Sequence, residues 1–153
     1  MGRAYEDEGE LLAAELGAVA ALSGGRAGAW LTRRVARLMP DDIHETEVEL
    51  PLEWERAVWR VERIVGGAGR RLEPVASMEG MPLAEEWVVR IVTRGGCAGM
   101  NPVVLTAVVV RPVGERRVTV VRLRAVAKEG LIRQRSGQEV AKGYAAALAG
   151  VER

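Results

Sequence analysis

The chain contains no phenylalanine, and its 153 residues include one cysteine and one histidine. A single cysteine excludes a disulfide within the chain and suits the reducing cytoplasm, so we expect a cytoplasmic protein. A metal site takes about four converging ligands, and His44 has only the carboxylates of Asp42 and Glu45 beside it in the sequence. We therefore predict no metal site and no cofactor.

Long apolar runs and a strong net charge are also missing. No stretch approaches the roughly 18 uncharged apolar residues of a membrane-spanning helix. Residues 11–22, the most apolar run near the N-terminus, follow acids where a signal peptide has basic residues. The net charge is +1, and the basic residues 111–135 lack the aromatic neighbours on which bases stack. We predict no membrane partner and no nucleic-acid partner.

The residues that are present fit a globular chain, with 48% hydrophobic and 28% charged side chains. A first helix is predicted over residues 5–22, because its leucines recur at helical spacing and its acids cluster at the N-terminal end. Residues 23–25, Ser-Gly-Gly, end it, and a second helix is predicted over Ala27–Met39. The apolar side of this second helix consists of Trp30, Leu31, Val35 and Leu38. Residues 1–40 thus form an N-terminal helical extension.

After Pro40 the spacing of polar and apolar residues changes from a helical repeat to a two-residue repeat. Within residues 42–51 the three glutamates at 45, 47 and 49 alternate with Thr46, Val48 and Leu50, the two-residue repeat of a strand with one solvent face. Pro51 suits the first turn of a helix, which is predicted to continue to Val65. Later strands and a last helix are predicted at residues 71–75, 86–93, 103–111, 118–127 and 137–149. The order β-α-β-β-β-β-α in residues 41–153 predicts an α+β domain, an antiparallel sheet packed by helices on one face.

The ends of the last predicted helix carry terminal signals. Ser136 and Glu139 have the spacing of a capping box, in which the two side chains satisfy backbone N–H groups at the helix start. Gly150 suits the C-terminal stop, since glycine readily adopts the left-handed backbone conformation found there.

The element order from Ile43 to Ala149 resembles a compact member of the START-like, helix-grip superfamily, also called the SRPBCC group. The matching text is VELPLEWERAVWRV, residues 48–61, and AKEGLIRQRSGQEVAKGYAAAL, residues 127–148. In that superfamily an opening strand runs into a helix of this kind, and a long final helix crosses the sheet. The chain is short for a member with a large cavity, and its N-terminal helical pair is extra. Small members of unknown function are the closer comparison.

The resemblance implies a cavity between the last helix and the sheet that holds an apolar small molecule. The residues expected to line it are Trp54, Val58, Val61, Trp87, Val89, Ile91, Leu123, Tyr144 and Leu148. Loops at the open end of such a sheet border the cavity mouth, so Cys97 and Met100 are expected at the entrance. The alternative is that these side chains fill a solid core, and the volume of the cavity distinguishes the two interpretations.

Cys97 lies in the stretch RGGCAGMNP, residues 94–102. A reactive thiolate needs a helix N-terminus or a basic partner, and a phosphate-binding loop leads from a strand into a helix. Here the stretch precedes a strand, and nothing places His44 near Cys97. The glycines favour a hairpin between two strands. His44 is interpreted in the same way, as a half-buried residue on the face of its strand shared with Thr46 and Val48.

The acids Glu45, Glu47 and Glu49 form a row on one strand face. If this opening strand pairs with the last strand, the row meets Arg122 and Arg124, which favours a ladder of opposite charges over paired catalytic acids. Because the sequence supplies no convincing pair of base and nucleophile, a function without catalysis is favoured, and a cyclase-like or hydrolase-like enzyme of the superfamily is the least favoured alternative.

One strand departs from simple alternation. Residues 103–110 are apolar on both faces, whereas an antiparallel sheet with one solvent face alternates. Either the N-terminal helices with Trp30 cover the second face or a second subunit does, and a homodimer is favoured. Trp59, which lies off the apolar side of its helix, indicates a similar partner.

Two functions are therefore expected as alternatives: a binding module for an apolar small molecule, or a non-catalytic interaction protein acting through its N-terminal helices and apolar sheet face.

Overall fold

The computed structural model describes residues 8–72, 86–96, 99–114, 117–130 and 134–150. The helices are α1 (Glu8–Leu38), α2 (Trp54–Val61), which a π-helical turn (Glu62–Gly66) extends, and α3 (Ser136–Ala149). The strands are β1 (Asp41–Leu50), β2 (Arg70–Arg71), β3 (Glu86–Gly95), β4 (Asn101–Val110) and β5 (Thr119–Lys128). Residues 73–75 of the strand predicted at 71–75 lie outside the described residues, as does Cys97.

The five strands form one antiparallel sheet in the order β1-β5-β4-β3-β2. The predicted α+β class is confirmed, and so is the order β-α-β-β-β-β-α after the N-terminal helices. The first and last strands pair with each other, with Glu45 opposite Arg124 and Glu47 opposite Arg122. Their side chains form ion pairs at 2.6 Å and 2.9 Å, so the predicted charge ladder is also confirmed.

Helix α1 is a hairpin of two helical limbs. Gly25 has φ 63° and ψ −162°, values that favour glycine, and it separates a first limb (residues 8–24) from a second limb (residues 26–38). The limbs pack so closely at Gly17 that a Cβ atom added there would lie 3.1 Å from the carbonyl oxygen of Ala29. Arg33 and Arg37 of the second limb form ion pairs with Glu10 of the first. The two predicted N-terminal helices are confirmed.

The main core lies between one face of the sheet and the helices α2 and α3. On the central strand β4 the buried residues of this face are Val103, Leu105, Ala107 and Val109. They meet side chains from neighbouring strands, such as Ile91 and Leu123, and buried residues of α2 and α3 such as Val61 and Leu148. The alternation of these strands therefore places one set of side chains against the helices.

The opposite face of the sheet is covered in part by the first limb of α1. Leu12, which is fully buried, packs there against Val92, Val104 and Val126. This contact accounts for the apolar Val104 on the second face of β4. The expectation that Trp30 takes part in the cover is wrong, because Trp30 lies on the second limb and is 61% exposed.

Charged side chains also hold the start of α1 on the sheet. Glu8 is 3% exposed and forms ion pairs with Arg90 at 3.6 Å and with Arg124 at 3.3 Å. Thr106 lies between these two arginines in the register of β3, β4 and β5. Burial raises the pKa of Glu8 above its ordinary value, although both guanidinium groups act in the opposite direction.

One predicted helix start and one predicted helix cap are wrong. Helix α2 begins at Trp54, and Pro51 lies before it in a bend, because the helical hydrogen bonds begin with the N–H of Ala57, which donates to the carbonyl of Glu53. Ser136 is the first residue of α3 and makes no side-chain capping bond. The residue at the N-cap is Arg135, in the left-handed conformation with φ 52°.

Long-range contacts replace the predicted capping box. The carboxylate of Asp42 on β1 accepts a hydrogen bond from the N–H of Gly137 at 2.9 Å. The hydroxyl of Ser136 instead accepts a hydrogen bond from the side chain of Asn101 at 2.9 Å. The predicted stop at Gly150 is confirmed, since this residue has φ 77° and caps the helix end.

Candidate functional site

Most of the residues predicted to line a cavity come together on the inner face of the sheet. Five of them are at most 1% exposed: Val61, Val89, Ile91, Leu123 and Leu148. Trp54, Val58 and Tyr144 are half-buried and pack against the same core. These residues therefore contact one another as one core cluster, on the side of the sheet where the resemblance places a cavity.

Trp54 has the most unusual environment in this cluster. The guanidinium carbon of Arg111 lies over its ring, 4.1 Å from the ring centre, so a cation–π contact covers one face of the indole. Its buried Nε1 atom has no hydrogen-bond partner among the described residues. A buried indole N–H without an acceptor is uncommon, because the lost hydration is left uncompensated.

Trp87 lies at the rim of the core, where 36% of its surface is exposed. Its indole N–H donates a hydrogen bond to Glu62 at 2.8 Å, and Arg71 donates to both oxygens of the same carboxylate, at 2.7 Å and 2.8 Å. The hydrogen bonds from Arg71 lower the pKa of Glu62, and the bond from Trp87 adds to this effect. The carboxylate of Glu62 therefore joins the π-helical turn after α2 to the neighbouring strands β2 and β3.

The stretch expected at the cavity entrance is a hairpin between β3 and β4, as predicted. Gly96 and Gly99 have φ 71° and 63°, which explains why glycine occupies both positions. Met100 is 63% exposed and lines a pocket on the face of the sheet that α1 covers, opposite the main core. Cys97 lies outside the described residues.

That pocket has a volume of about 490 Å³. Its walls are the first limb of α1, with Glu15 and Val19, the turn before β2, with Gly69, the first residue of β2, Arg70, and the adjoining ends of β3 and β4. Sequence reasoning missed this pocket, because residues far apart in the chain form it and no local pattern joins them.

The second limb of α1 carries a large exposed apolar surface, which we call the apolar stripe. It consists of Trp30, Leu31, Val35 and Leu38, which are 61%, 57%, 45% and 84% exposed. Arg34 stacks on Trp30, with its guanidinium carbon 5.4 Å from the ring centre. The predicted apolar side of this helix is therefore real, but it faces solvent.

The part of the outer sheet face that α1 leaves uncovered is also apolar, and we call it the sheet patch. Its centre is formed by the half-buried residues Val88, Val108, Val110 and Val120. In the strand register one row runs from Glu86 through Val110 and Val120 to Glu49. This row is thus apolar in the middle with an acid at each side, and in the next row Arg122, which pairs with Glu47, lies beside Val108.

Two other positions that the sequence singles out are described, and the half-buried state predicted for His44 is confirmed. His44 is half-buried, and Trp59 is 64% exposed with Arg63 stacked on its ring at 5.1 Å.

Within the described part of the chain, no group of three or more His, Cys, Asp or Glu side chains is arranged to hold a metal ion. None of the described helices is long and apolar enough to cross a membrane. Compared with models of known protein families and with curated proteins, the chain matches none.

Proposed function

We propose that the protein is a non-catalytic interaction module that forms a homodimer through its N-terminal hairpin and its outer sheet face. The observation that carries the proposal is the apolar stripe, whose four large side chains are each at least 45% exposed on one helix. Clustered side chains of this size on a soluble surface are typical of an interface, where burial removes apolar area from water.

Charge complementarity favours a second copy of the chain as the partner. The second limb carries four arginines and no acid, and Glu10 pairs with Arg33 and Arg37. Arg26 and Arg34 have no anionic partner among the described residues. The stripe is therefore apolar with free positive charge beside it, while the sheet patch is apolar with acids beside it.

The sheet patch supplies the opposite charge. Neither Glu49 nor Glu86 forms an ion pair with any residue in the described ranges. If two stripes faced each other, their arginines would repel, whereas a stripe on a sheet patch brings unlike charges together. The stripe and the patch belong to one chain, so a twofold axis between two copies satisfies both surfaces at once.

The direct test is native mass spectrometry of the protein purified from its own host, with light scattering in solution. The expected mass is twice the 16.6 kDa of the chain. The double substitution Leu31→Glu with Val35→Glu should give single chains, because it buries charge in the interface. Val113→Glu is the matched control, since Val113 is 91% exposed outside both surfaces and its variant should remain dimeric. A wild-type protein with the mass of one chain contradicts the proposal.

Binding of an apolar small molecule between α3 and the sheet is a second proposal. The resemblance to helix-grip proteins implies it, and the buried Nε1 of Trp54 without an acceptor supports it, because a ligand oxygen would satisfy this donor. The same native mass spectra test it. A retained small molecule that the variant Trp54→Phe no longer holds supports this function, and a wild-type mass that equals whole chains alone counts against it.

A further inference from the structure

The pocket between the first limb of α1 and the edge of the sheet is a second cleft, separate from the main core. It lies on the outer face, at the end of β3 and β4 away from the sheet patch. Its volume of about 490 Å³ falls within the range of roughly 300–1,000 Å³ that is typical of small-molecule sites. It therefore has room for a ligand even when the sheet patch is occupied by a second copy.

The walls of the pocket are held in place by short contacts. Arg70 forms an ion pair with Glu15, which ties the first residue of β2 to the first limb of α1. The turn before β2 approaches β3 so closely that a Cβ atom on Gly69 would lie 2.5 Å from the carbonyl oxygen of Val92. The pocket is therefore a formed feature, and a ligand would not have to open it.

The charges of the lining indicate a ligand with a single negative charge. Only Glu15, Arg70 and Arg94 are charged among the lining residues, and the first two neutralise each other. Arg94 is exposed and has no hydrogen-bond or ion-pair partner in the described part of the chain. A guanidinium group presents paired N–H donors that match the two oxygens of a carboxylate.

The remainder of the lining is largely apolar. Val19 from the first limb, Val92 from β3 and Pro102 from β4 form the interior, and the exposed Met100 lies at the rim. Methionine is a flexible side chain that adapts to apolar ligands of different shapes. We propose that the pocket binds an apolar monocarboxylate of medium chain length, with its carboxylate on Arg94 and its chain along Val19, Val92 and Met100.

The test compares octanoate with octanol by isothermal titration calorimetry, below the concentrations at which either aggregates. Octanoate should bind about tenfold more tightly than octanol, because only octanoate forms charge-assisted hydrogen bonds with Arg94. The substitution Arg94→Gln should remove this preference and leave octanol binding unchanged. Arg117→Gln is the matched control, since Arg117 is an exposed arginine at the other end of the sheet.

Two further measurements separate this site from the other proposed surfaces. The Leu31→Glu with Val35→Glu variant should bind octanoate with unchanged affinity, and the methyl NMR signal of Met100 should shift during the titration. Equal binding of octanoate and octanol by the wild type overturns the proposal. An Arg94→Gln variant that keeps the preference for octanoate over octanol, as Arg117→Gln should, also overturns it. So does a wild type that binds octyl phosphate about tenfold more tightly than octanoate.

Discussion

At the scale of single residues, two glutamates in this protein have opposite electrostatic environments. Glu8 is buried at the start of α1, against the sheet, where burial raises its pKa despite Arg90 and Arg124. Glu62 is half-buried at the sheet edge, where hydrogen bonds from Arg71 and Trp87 lower its pKa. Removing either carboxylate therefore changes how folding depends on pH, and in opposite directions.

We predict the pH dependence of stability for Glu8→Gln and Glu62→Gln. The folded state binds a proton at Glu8 more readily than the unfolded chain does, so the stability that Glu8 contributes falls as pH rises through its raised pKa. Glu62 contributes stability above its ordinary pKa, and this is lost as pH falls toward the lowered value. Urea unfolding of each variant and the wild type, from about pH 3 to 7, measures both differences. For each variant, the difference in unfolding free energy from the wild type is plotted against pH. If this difference changed in the same direction for both variants, the opposite pKa shifts of Glu8 and Glu62 would be contradicted.

Residue-scale predictions from the sequence succeeded where the partner was local or followed from the strand register. The ladder of Glu45 and Glu47 with Arg124 and Arg122 followed from pairing the first strand with the last. The capping box at Ser136 failed because its actual partners, Asp42 and Asn101, come from distant strands. Local spacing cannot reveal such partners, since they depend on how the sheet and α3 pack together.

At the scale of elements, the limbs of α1 illustrate what a periodic pattern leaves open. Both limbs carry an apolar side, and the sequence does not show which of them meets the sheet. The structure places Leu12 of the first limb on Val92, Val104 and Val126, while the second limb faces solvent. The first limb then stabilises the sheet, and the stripe is left exposed.

This division predicts different effects for two leucines on the same limb. Leu12→Ala should lower the free energy of unfolding by about 2–5 kcal/mol, because it removes a fully buried side chain and leaves a cavity over the sheet. Leu22→Ala should change it by less than about 0.5 kcal/mol, because Leu22 is 89% exposed. Urea unfolding followed by circular dichroism measures both values. Equal effects of the two substitutions would show that the first limb does not cover the sheet.

At the scale of the whole molecule, the fold class and the order of the elements were predictable, because strand alternation, helical spacing and glycine turns are local signals. The candidate surfaces were less predictable from the sequence. The apolar sequence of β4 showed that its second face needs a cover, but α1 meets only part of that face. The row from Glu86 to Glu49 appears only when four strands are set in register, so its acids could not be matched to Arg26 and Arg34 beforehand.

The central claim is that the stripe of one copy lies on the sheet patch of the other, and exchanging charges between two variants tests it most directly. One variant carries Arg26→Glu with Arg34→Glu, and the other carries Glu49→Arg with Glu86→Arg. Each variant alone places like charges together and should have the mass of one chain by light scattering. In an equal mixture every stripe can meet a sheet patch of opposite charge, so the predicted result is a mixed dimer with the mass of two chains. A mixture that stays at the mass of one chain, beside a dimeric wild type, would contradict this arrangement.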